Sequence, residues 1–117
     1  MLFGLIGLSL FSYSQMKKIC INISSLLQEM EELISSEKWS EITRLEKKLS
    51  SSWENNQVFF SLIIDHAELN DLEISLAKIN SHVKEKKKSE LLPELEISQR
   101  LIQNLWQQEK LSWQNVF

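Results

Sequence analysis

Four side chains near the middle of the chain, Asp65, His66, Glu68 and Glu73, have the types that metal binding or proton transfer requires. An imidazole among carboxylates can share a metal ion or pass a proton. Their spacing argues for neither. On a helix His66 and Asn70 share one face, with Glu73 a turn further on, while Asp65 and Glu68 fall on a neighbouring face. One histidine with one carboxylate is not a ligand set, and helical metal bundles repeat a Glu-x-x-His pair that this sequence lacks. His82, the second histidine, lies more than four turns away. The favoured reading makes Asp65 and His66 structural, hydrogen-bonding across to the second or fourth helix and fixing its register. The alternative is a ligand- or ion-sensing domain that uses the Asp65/His66 region together with Glu73.

Other chemistries lack their motifs. Glycines stand only at positions 4 and 7, so no Gly-rich phosphate loop can form, and no local pattern suggests a Ser, His and acid arrangement. The single cysteine, Cys20, excludes an internal disulfide and any multi-cysteine metal site, and reads as a small apolar helix residue. Trp39, Trp53, Trp106 and Trp113 stand at spacings that suit the core of a small bundle better than a ligand groove. The expectation is a protein that is not an enzyme and carries no metal and no cofactor.

The elements that would position these residues are helices. The chain has 117 residues, 43% of them hydrophobic, enough for one small domain. Two glycines and one proline are too few for sheets joined by tight turns, which makes the class all-α. A net charge of -3 offers no basic face to nucleic acid, so none is expected as a partner.

Everything else must pack against the stretch from Trp53 to Val83. Leu62, Leu69, Leu72, Leu76, Ile79 and Val83 mark one helical seam, and Phe59, Phe60, Ile63, Ile64 and Ala67 add a second apolar strip. From about Gln57 to Lys88 such a helix would approach ~50 Å at ~1.5 Å per residue, long enough that a break or bend is open. Ile19, Ile23, Leu26, Met30 and Leu33 define a first helix of the soluble part, Ser35 to Lys38 a turn, and Trp39, Ile42, Leu45 and Leu49 a second helix. The second helix is expected to end or kink at Ser50 to Ser52 or at Asn55-Asn56, which are poor mid-helix residues. Lys84 to Lys88, KEKKK, closes the long helix with favourable charge. Ser89 and Pro93 open a last helix whose buried face is Leu91, Leu95, Ile102 and Leu105. The apolar tail after Ser112 folds back as a plug or serves as a partner-binding peptide.

The resulting expectation is an all-α antiparallel bundle of three to four helices with one long central helix, preceded by an apolar N-terminal anchor. Residues 1–15 form the anchor or signal-like segment and residues 16–117 the helical domain. The run MLFGLIGLSLFSY has no charged side chain but is shorter than the ~20 residues of a full span. Three readings compete: a membrane anchor that starts further upstream, a cleaved signal, or a continuation of the first helix. The anchor is favoured. Taken literally, Lys17 and Lys18 would hold the following domain in the cytoplasm, an inference that upstream residues could reverse.

One order of residues adds a resemblance. Glu32-Leu33-Ile34 to Lys38-Trp39, Leu49 to Trp53, Phe60-Ser61-Leu62-Ile63-Ile64-Asp65-His66 with Glu68-Leu69, Leu72-Glu73-Ile74-Ser75-Leu76-Ala77, and Glu109-Lys110-Leu111-Ser112 to Asn115-Val116-Phe117 follow in that sequence. In this order, after an apolar N-terminus, the chain closely resembles the small bacterial proteins of domain of unknown function family 4363. The likeness covers nearly the whole chain. It implies an N-terminal membrane anchor, a short helical domain and an extracytoplasmic location, with no activity attached. Members usually begin with basic residues and a longer apolar segment, and often carry an acidic residue where this chain has Lys38.

These features predict a membrane-tethered accessory or interaction protein, whose partner is another protein, in one version a membrane protein. An exposed apolar strip around Phe59, Phe60, Val116 and Phe117 would dock a partner helix. A homo-oligomer along the Leu69 to Val83 seam is a further alternative.

Overall fold

Each of four apolar stripes becomes a helix. The computed structural model describes the backbone of residues 2–116 and the side chains of residues 11–107. The helices are α1 (Leu2–Ile34), α2 (Trp39–Ile63), α3 (His66–Lys84) and α4 (Lys88–Val116), and no strand occurs among the described residues. Around the ring α1 packs on α2 and α4, and α3 packs on α2 and α4.

Neighbours run antiparallel, as short connections require. Cross-helix hydrogen bonds mark the register: Asn22 to Ser52, Asn80 to Glu46, Gln57 to Glu73, Ser75 with Ser98, and Gln99 to Glu31. The body is rod-shaped, 53 × 21 × 19 Å. Its core takes Ile23, Leu27 and Met30 from α1, Ile42, Leu49 and Phe60 from α2, Leu72 and Ile79 from α3, and Leu91, Leu95 and Ile102 from α4, all essentially without exposure. Burying each such side chain stabilises the fold by roughly 1.5–3 kcal/mol relative to leaving it in water.

The single long central helix is not present. The chain breaks at Ile64 and Asp65, both extended (φ -111, ψ 145 and φ -58, ψ 136), and reverses direction into α3. The expected break at Ser50 to Asn56 is also absent, because those side chains return hydrogen bonds to their own helix. Ser50 Oγ donates to Glu46 Oε1 at 2.7 Å, and Asn56 Nδ2 donates to the Ser52 carbonyl at 2.7 Å. Trp53 stacks on Phe60 with ring centroids 5.1 Å apart, carrying the core phase through the polar stretch.

Two turns at the other end of the bundle share one construction. After α1, the Lys38 N–H donates to the Leu33 carbonyl and the Glu37 N–H to that of Ile34; after α3, Lys87 donates to His82 and Lys86 to Val83. These are paired six-to-one and five-to-two closures with a left-handed residue at the turn, Glu37 (φ 52) and Lys86 (φ 55), where glycine is usual.

Helix α1 crosses the expected boundary between residues 15 and 16 without interruption. Among the described residues, no helix is long and apolar enough to cross a membrane. Helix α4 opens at Lys88, which puts Pro93 in its second turn, and runs on through Val116 where a folded-back plug was expected. The side chains of Trp113 and Val116, and Phe117 altogether, lie outside the described residues.

Candidate functional site

The four residues singled out for chemistry do not converge. Asp65 is the N-cap of α3, His66 its first residue and Glu68 lies in its first turn. That order, Asp-x-x-Glu, is the pattern of a helix start, and an acidic first turn suits the positive end of the helix dipole. The Asp65 carboxylate nevertheless makes no cap hydrogen bond. Asp65 and His66 are both exposed, and the cross-helix hydrogen bonds given above involve neither of them. Glu73 does cross the interface: its Oε1 accepts a hydrogen bond from Gln57 Nε2 at 3.1 Å. Among the described residues no group of three or more His, Cys, Asp or Glu side chains could hold a metal ion.

Register is fixed instead by polar groups that the sequence does not advertise. Glu46, 6% exposed, accepts on Oε1 from Ser50 of its own helix and from Asn80 Nδ2 of α3 at 2.8 Å. Between α3 and α4, Ser75 donates to Glu94 at 2.7 Å, which leaves the Ser98 hydroxyl to donate to Ser75. Buried polar groups that are satisfied in this way reward a single alignment of neighbouring helices. The signal that could have located them is a small or polar residue at a core position of an otherwise apolar stripe, as at Ser75 and Ser98.

Of the residues expected to dock a partner, Phe59 and Phe60 stand on α2, while the Val116 side chain and Phe117 lie outside the described residues. Phe60 is fully buried and cannot meet a partner, while Phe59 is half-buried and packs edge-on against it at 6.1 Å between ring centroids. The exposed apolar residues of this region are Val58 (73%) and Leu62 (78%), one helical turn apart on the outer side of α2. Leu62, assigned by periodicity to the central seam, is thus the most exposed of the large apolar residues on these two helices. The Asp65 break resets the helical phase, so the seam of α3 begins afresh at Leu69. From Leu69 to Val83 that seam is buried against the other helices of the same chain.

A shallow groove of about 370 Å³ runs between α2 and α3 beside this face. Leu49, Trp53, Leu76 and Ala77 form apolar parts of its lining, and Glu54 and Glu73 bring carboxylates to it. The Gln57–Glu73 hydrogen bond ties the two helices together here. The residue after each, Val58 on α2 and Ile74 on α3 (47%), exposes apolar surface. The arrangement has the means to hold a side chain by contact and charge.

Residues 10–116 match the family profile described as domain of unknown function (DUF4363), and the chain belongs to that family. No curated protein and no solved structure matches it.

Proposed function

We propose that this member of the family is a non-enzymatic accessory protein tethered to a membrane by the start of α1, with its helical body offering the outer face of α2 and α3 to a protein partner. The observation that carries the reading is the continuity of α1. The apolar run from residue 2 to residue 13 and the core-lining stretch from Met16 to Ile34 belong to one unbroken helix. Phe11, at 59% exposure, turns apolar surface to solvent five residues before Met16, the first buried residue among the described side chains. At ~1.5 Å per residue this apolar run measures about 18 Å, part of the depth of a ~30 Å hydrocarbon layer. The basic pair Lys17 and Lys18 follows at the depth where headgroups would lie.

Fractionation of the full chain with a C-terminal tag, followed by protease treatment of cells stripped of their wall, tests the tether and its side. Membrane recovery with digestion of the body is the expected result, since the family resemblance favours the extracytoplasmic side. Protection would move the body to the cytoplasm, and recovery in the soluble fraction would refute the tether.

A further inference from the structure

We infer that the outer face of α2 and α3 receives a basic amphipathic helix from a partner protein, a refinement that rests on the interaction-face reading above. Between Leu49 and Ala77 the chain carries five acidic residues, Glu54, Asp65, Glu68, Asp71 and Glu73, and not one Lys or Arg. All 13 Lys and Arg lie elsewhere, so the net charge of -3 originates in this stretch. Glu54, Asp65 and Asp71 are exposed, and Glu68 and Glu73 are half-exposed. The same hairpin exposes Val58, Leu62 and Ile74 and holds the groove beside Trp53. Apolar anchors and one sign of charge therefore coincide on one pair of helices.

The coincidence selects the occupant. An anionic bilayer or a nucleic acid would meet repulsion from the acids, and a second copy of this chain docked through the same face would set Glu54 and Glu73 against their own counterparts. A helix with apolar residues on one face and Lys or Arg at its margins satisfies both features. Its apolar residues cover Val58 and Leu62, whose one-turn separation matches the spacing of helix anchors, and one long basic side chain lays its aliphatic stem in the groove with its charged end at Glu54 and Glu73.

The test is a selection from a display library of amphipathic helices whose margin positions are randomised, against the full chain held in phosphatidylcholine nanodiscs. The expected outcome is enrichment of Lys and Arg at the margins, with binding that falls about tenfold or more in the double variant Glu54→Gln, Glu73→Gln and in high salt. Both substitutions keep side-chain shape and a hydrogen-bonding group, and a circular dichroism melt verifies that the variants fold. Binders without charge bias that are lost in Val58→Ser, Leu62→Ser would overturn the basic partner and leave the interaction face standing. Binders indifferent to all four substitutions, or no binders, would overturn both. Sedimentation with phosphatidylglycerol vesicles that depends on Val58 and Leu62, in the absence of basic binders, would overturn the inference in favour of a lipid surface.

Discussion

Replacing Glu37 or Lys86 by glycine should stabilise the bundle. Both residues hold a left-handed backbone (φ 52 and φ 55) in turns with matching hydrogen bonds, so each tests the other. A side chain with a β-carbon costs about 1–2 kcal/mol in that conformation, and glycine removes the clash. Against this, glycine gives the unfolded chain more freedom, which offsets roughly 0.5–1 kcal/mol. Glu37 also faces Lys88 at 3.9 Å, with both side chains well exposed, an ion pair contributing about 0–0.5 kcal/mol. The net gain should be about 0.5–1 kcal/mol for Lys86→Gly, slightly less for Glu37→Gly, and additive to about 1–1.5 kcal/mol in the double variant. Urea unfolding of the full chain should show the midpoint rising with an unchanged slope, and the double variant should melt about 4–6 °C higher. Lys86→Ala and Glu37→Ala serve as controls: alanine keeps the β-carbon and should gain nothing. A lower midpoint for both glycine variants, or an equal gain from alanine, would refute the argument that backbone strain limits these turns.

Phe60→Ala should cost about 3–5 kcal/mol, while Leu62→Ala, two residues away and 78% exposed, should change unfolding free energy by less than about 0.5 kcal/mol. Similar costs for the two would mean that the helical phase of α2 is misassigned. Burial pushes the Cys20 thiol from 9.0 up to about 12, so iodoacetamide at pH 8 should label it only as fast as the bundle opens. Because the folded thiol keeps its proton where the unfolded one loses it, stability should fall as pH rises from about 9 to about 12; a Cys20→Ala variant should lack that part of the fall. Pro93→Ala should raise stability by about 1 kcal/mol or more, since a proline in the second turn of α4 withholds the N–H that would bond the Ser89 carbonyl. An unchanged melting curve would show that the turn tolerates the gap.

The all-α class, the turn from Ser35 to Lys38 and the buried faces of α3 and α4 were legible in residue spacing, whereas in α1 the expected stripe is offset: Ile19, Leu26 and Leu33 are half-buried, and the buried seam runs through Met16, Cys20, Ile23, Leu27, Met30 and Ile34. The α2–α3 junction was not. Leu62 and Leu69 stand seven residues apart, the interval of a continuous seam, yet the two extended residues between them place Leu62 in solvent and Leu69 in the core. A spacing measured along the sequence does not register where a helix has stopped and restarted. The Asp65-x-x-Glu68 start signal was present, but the same residues also read as a chemical cluster. In the mostly apolar run from Val58 to Ile64, neighbouring residues compete for the inward direction, and in the fold Phe60 takes it, stacked on Trp53. The polar bonds of Glu46, Ser75 and Ser98 become visible only when the helices are paired.

The ring arrangement of the helices has a consequence for biosynthesis. Contacts such as Glu31 with Gln99 and Lys17 with Trp106 join the first helix to the last, across 68 residues in the first case. Helices pair within microseconds to milliseconds, whereas a ribosome adds about 5–20 residues per second, so translation sets the pace. The 29 residues of α4 are the last of the four helices to be made, and for about 1.5–6 s of their synthesis α1 has α2 on one flank and no neighbour on the other. During that interval the α1 stripe Met16, Cys20, Ile23 and Leu27 is open to whatever handles nascent chains. A factor that recognises an apolar helix stripe can therefore engage this chain before its fold is complete.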